Sequence, residues 1–313
     1  MNTTTIFRLP LLFVLAYALI LSGSLILVSY PNVSVRYPEL SLAAYLSKVF
    51  AFQLVQLTGF FTLTSFLFYH YRITQLNRKT VLAVIGLTIF LYTVNTILGS
   101  LKVEWLSHLM AKMIADKAEL SDFILVLKTA DILLYLTSFV LLGIATCLAA
   151  KYYLKVSQPA LIPDGKIPDI YALLFSCGMV YLMWMTALFL MAVMAPYLPG
   201  GVPEPVSENA YTTAAGLLIS CGIIFIFVRQ RFPVAGGILQ IRPLVLSVLL
   251  STVLSMLAMA AVTAGTVYMV LLTDSFRSFG EAELWTMTAV SIALTLWISR
   301  TVIGVTFRRL SAD

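Results

Sequence analysis

The stretch LVLKTADILLYL, residues 125–136, sets a lysine and an aspartate, Lys128 and Asp131, into an otherwise apolar run. An ionised side chain deep in a bilayer costs several kcal/mol and tends to mark function. From Ile132 to Ala150, however, the chain continues for about 19 residues without a charge. That is close to the ~20 residues that cross a hydrocarbon core of ~30 Å. The segment can therefore span a membrane while Lys128 and Asp131, about one helical turn apart, stay at its boundary. There they reach water or each other.

The rest of the chain agrees with a membrane reading. Its 313 residues are 60% hydrophobic and only 11% charged, with a mean hydropathy of +0.97. Soluble domains carry about 25% charged residues. The expected fold class is an all-α integral membrane protein. The net charge of +6 fits cytoplasmic loops better than nucleic acid, because no basic run with interleaved aromatics is present.

Apolar runs of membrane length mark eight spans, roughly 9–30, 47–69, 80–101, 124–150, 169–196, 211–229, 243–273 and 284–306. Arg8 precedes the first run, which is longer than a signal-peptide core and lacks an A-x-A site. It reads as an uncleaved span.

The connecting segments alternate in charge. Arg8, then Arg72, Arg78 and Lys79, then Lys151, Lys155 and Lys166, then Arg229, Arg231 and Arg242, then Arg308 and Arg309 form one set. Glu39, then Glu104, Asp116, Glu119 and Asp122, then Glu204 and Glu208, then Asp274, Glu281 and Glu283 form the other. The positive-inside rule then places both termini in the cytoplasm, with an even number of spans. Short loops and few cysteines suit a bacterial inner (cytoplasmic) membrane.

Spans one to four and five to eight begin at offsets of about 160 residues. That spacing is compatible with a parallel repeat of two four-helix halves, 1–155 and 156–313, although residue identity between the halves is poor. Residues 104–120, EWLSHLMAKMIADKAEL, place Trp105, Leu109, Met113 and Leu120 near one face. They predict an external amphipathic helix on the membrane interface, with Trp105 as an anchor. The segment 195–211 carries four prolines and two glycines and predicts a loop over the outer side.

Polar residues inside the spans collect in the predicted outer half. Gln53 and Gln56 lie early in span two, Asn95 late in span three, and Lys128 and Asp131 at the start of span four. Such side chains seek partners on neighbouring helices. They predict a polar cluster among these spans, serving either as packing bonds or as a ligand-binding cavity. Arg300, near the cytoplasmic end of span eight, is expected to anchor at the interface by reaching the headgroups. Ser251, Ser255, Ala258, Ala261 and Gly265 recur every three or four residues along span seven, a small-residue stripe for helix packing.

Signatures of catalysis are missing. No GxSxG, HExxH or P-loop pattern occurs. The loop 155–169 brings Asp164 and Asp169 beside Lys166, but its prolines mark a turn-rich linker. Cys147, Cys177 and Cys221 lie in apolar segments without a CxxC and read as packing residues. No cofactor or metal is expected. Three function classes remain. The first is a non-catalytic membrane subunit that docks partner proteins or self-associates, with membrane lipid as its other partner. The second is a transporter or channel component for an uncharged or amphipathic solute. The third is a lipid-modifying enzyme at the outer leaflet with Asp131 or an external carboxylate as base. The packing and docking features favour the first.

Overall fold

The chain begins with α1, Arg8–Ser24, which passes through a π-helical turn, Leu25–Ser29, into α2, Tyr30–Arg36. Then follow α3, Leu42–His70; α4, Arg78–Ala115; α5, Leu120–Leu148, extended by a π-helical end Ala149–Leu154; and α6, Ile167–Met194. The series closes with α7, Ala210–Val228, α8, Ile241–Leu272, and α9, Glu281–Arg308. This is a computed structural model, and it describes residues 7–71, 73, 75–115, 120–154, 167–194, 210–232, 240–272 and 281–308. Among the described residues no strand occurs.

Seven helices, with the continuous stretch α1–α2 counted as one, are long and apolar enough to cross a membrane. The count becomes eight if α3, bent by 45° between Leu42–Ala51 and Gln53–His70, is one span. Each of the eight apolar runs thus becomes a helix at nearly its expected position. Neither proline nor glycine stands at the α3 bend.

Local chemistry sets the helix starts. Ser41 Oγ accepts the Ala44 N–H at 3.2 Å and caps α3. At α4, Asn77 Oδ1 accepts the Thr80 N–H at 2.9 Å, while Thr80 Oγ1 accepts the Asn77 N–H at 3.0 Å. This reciprocal capping box satisfies two N–H groups that have no partner inside the helix.

The expected interfacial helix needs correction. Residues 104–115 are the continuation of span three, because α4 runs unbroken for 38 residues. No glycine or proline separates Leu101 from Ala115, so nothing in the sequence breaks the hydrogen-bond ladder. Residues 116–119 of the expected helix lie outside the described residues, as do most of the loops 155–169 and 195–211 and the acids Asp116, Glu119 and Asp164.

The helices fall into two compact units. In the first, residues 1–160 and 184–217, α1, α3, α4 and α5 enclose Phe13, Tyr17, Phe60, Leu91 and Leu142, all nearly inaccessible. Phe60 stands at the centre, with Tyr17 at 5.1 Å and Phe139 at 5.4 Å in edge-on contact. Edge-to-face rings add to the burial of their apolar area. In the second, residues 161–183 and 218–313, Tyr171 of α6 stacks on Phe232 at 5.3 Å, and Phe307 of α9 meets both rings edge-on. Tyr171 Oη also accepts the Gln240 N–H at 2.5 Å. Both ends of the connection from α7 to α8 are thereby tied to one aromatic cluster.

Candidate functional site

Helices α4 and α5 run antiparallel, and two polar contacts fix their register. Asn95 of α4 accepts a hydrogen bond on Oδ1 from the Ser138 hydroxyl of α5. Lys102, seven residues further along α4, pairs with Asp131, seven residues earlier on α5, at 2.5 Å. Seven residues are about two helical turns, or ~10 Å of rise, so both contacts lie on one seam. Asn95 also donates from Nδ2 to Tyr17 Oη of α1 at 3.1 Å. The amide therefore uses its donor and its acceptor on two different helices. In an apolar medium such bonds hold helices at a defined offset, because the alternative is an unsatisfied polar group.

The predicted polar cluster is therefore assembled in part. Asn95 and Asp131 belong to the seam. Gln56 is buried and Gln53 half-buried on α3, and neither joins this chain of bonds among the described residues. The Lys128 side chain lies outside the described residues. Three members were not anticipated: Lys102, Ser138 and Tyr17. The spacing did contain a signal, since Asn95–Lys102 and Asp131–Ser138 are both seven apart and each pair shares a helix face.

Beside the seam lies an open groove of about 540 Å³. Leu98, Leu101, Lys102 and Trp105 line it from α4, and α5 contributes Ala130 and Leu134 among others. Lys102 and Asp131 keep 21% and 29% of their side-chain surface accessible. The groove is thus an apolar trough with one cation in its lining, whose counter-ion stands beside it. Its size falls within the ~300–1,000 Å³ of small-ligand sites.

The other anticipated residues are distributed as follows. Ser251 and Ser255 are fully buried on α8, Ala258 is half-buried, and Ala261 and Gly265 are exposed. The α8 stripe is thus covered over only part of its length. Near the covered part, Ser247 and Thr306 join α8 to α9 by a hydroxyl–hydroxyl bond of 2.6 Å. At Gly265 an added Cβ would meet nothing within 4 Å. Arg300 is half-buried with its guanidinium 5.7 Å from the Phe227 ring centre, a cation–π arrangement. Asp169 is ion-paired with Arg229. Cys147, Cys177 and Cys221 are free thiols. Among the described residues no three His, Cys, Asp or Glu side chains converge to hold a metal ion.

The chain therefore has several long apolar helices consistent with a polytopic membrane protein, and Asn95 and Lys102 of α4 bind Ser138 and Asp131 of α5. No protein-family model, no curated protein and no solved structure matches it.

Proposed function

We propose that this chain is a non-catalytic membrane subunit that docks other membrane proteins, or a second copy of itself, at the far end of α4. The length of α4 carries this reading. Thirty-eight residues extend ~57 Å. At an average tilt of about 20° that is still ~54 Å, more than the ~40–45 Å of a whole bilayer. With Arg78 and Lys79 at the cytoplasmic boundary, the excess lies on the opposite side. Val103 and Met110 then stand ~38 and ~48 Å along the helix from Arg78, beyond the ~30 Å hydrocarbon core. They are seven residues apart on one face, and they are 63% and 43% exposed. Apolar side chains presented together beyond the hydrocarbon core are typical of a protein contact. The uncovered part of the α8 stripe, Ala261 and Gly265, offers a second close-approach surface within the membrane.

A transport or binding role for an uncharged or amphipathic molecule is the second reading, favoured by the groove at Lys102. Catalysis has less support, because Asp131, the carboxylate that could serve as base, is engaged by Lys102.

Placing a photo-crosslinking side chain at Met110 in the native membrane tests the docking reading. We expect an adduct with another subunit or a second copy that is absent when the probe sits at Leu15 of α1. Adducts to lipid alone at Met110 would refute the proposal.

A further inference from the structure

We propose that the groove between α4 and α5 binds one chain and the headgroup of an amine-bearing zwitterionic phospholipid, with the phosphate on Lys102. Three observations converge on this occupant. The first is level. Trp105 and Lys102 are three residues apart on α4, and both line the groove. Tryptophan and lysine both favour the depth where acyl chains give way to headgroups. The second is lining. On the Asn95 side of Lys102, the groove continues between Leu98, Leu133 and Leu134, where a hydrocarbon chain finds only apolar contact. Thr137, at that end, already donates its hydroxyl to the Leu133 carbonyl at 2.8 Å, so it does not demand a polar ligand.

The third is charge. Lys102 gives one of its three N–H bonds to Asp131 and keeps donors for a phosphate oxygen. Asp131, partly accessible, keeps acceptor capacity for an ammonium. The pair sums to zero, so it offers no net attraction to an anionic lipid. It does offer a positive and a negative contact side by side, the pattern of a phosphate linked to an amine. The docking face at Val103 and Met110 is not used, so this site can fail or hold independently of the proposed function.

The purified chain, reconstituted in nanodiscs of equal phosphatidylethanolamine and phosphatidylglycerol and then transferred to detergent, is examined by native mass spectrometry. The wild type should retain phosphatidylethanolamine over phosphatidylglycerol by about fivefold, roughly 1 kcal/mol of preference. Lys102→Gln with Asp131→Asn keeps an amide–amide hydrogen bond but removes both charges, and should lose the preference. Ala130→Phe, which fills the groove, should lose the retained lipid itself while the seam residues stay intact. A wild type that retains no lipid, or that prefers phosphatidylglycerol, overturns the proposal. So does unchanged retention in Ala130→Phe, even if the charge-free double variant fails to fold.

Discussion

Lys102 on α4 and Asp131 on α5 form an ion pair at 2.5 Å, two helical turns from the place where Asn95 and Ser138 hydrogen-bond across the same two helices. The two contacts obey one antiparallel register. A shift of α5 by a single residue would rotate its polar groups by about 100° away from their partners. The seam thus specifies which faces of α4 and α5 meet, a task that lipid-like side chains perform poorly when their surroundings are equally apolar.

Asn95 should matter more than Ser138. Asn95→Ala removes bonds to both Tyr17 and Ser138. Ser138→Ala removes one, and that hydroxyl also has the Leu134 carbonyl as an acceptor at 2.8 Å. Denaturant unfolding in mild detergent should give a loss of about 1–2 kcal/mol for Asn95→Ala and about half that for Ser138→Ala. The reverse order would mean that Asn95 is not the hub of the seam.

The ion pair should contribute modestly. Both partners keep a fifth or more of their side-chain surface accessible, so solvent and ions screen the attraction. A double-mutant cycle with Lys102→Met and Asp131→Leu should give a coupling of about 0.5–1 kcal/mol, falling as salt is raised. A coupling near zero at low salt would show that the contact does not persist in the folded protein.

The two ends of the α8 stripe should respond differently to added bulk. Ser251 is fully buried in the second unit, and Ser251→Leu should overpack it by about 1–3 kcal/mol. Gly265 has open space where a side chain would go, so Gly265→Leu should leave monomer stability nearly unchanged. If that surface receives a partner helix, the same substitution should weaken association. Melting temperature and subunit recovery, measured on both variants, separate the two effects. Equal destabilisation by both would show that Gly265 is packed like Ser251.

Much of the architecture was legible because the bilayer imposes one rule on every span: about 20 residues without charge. The runs beginning near 9, 47, 80 and 124 could be read by that rule alone, as could their counterparts in the second part of the chain. Side-chain partners were harder. Asn95 and Asp131 stood out because they interrupt apolar runs. Lys102 did not, because it sits where the apolar run ends and looks like one more loop charge. Tyr17 and Ser138 did not, because tyrosine and serine are ordinary residues in spans. Amphipathic periodicity from Trp105 to Met113 suggests a face led by Trp105, but Trp105 is exposed and its neighbour Leu106 is the buried residue. The periodicity also carried no information on whether the helix turns before that face or runs straight into it. The unbroken composition from Leu101 to Ala115 was the better guide.

The mass of the native particle tests the central claim most directly. The chain, extracted in a mild detergent without overexpression and weighed after correction for bound detergent, should travel in a stoichiometric complex heavier than one 34.5 kDa chain. Val103→Asp with Met110→Asp should return it toward the single-chain mass while leaving its helix content intact. A stable particle of one chain, unchanged by those substitutions, would contradict the account.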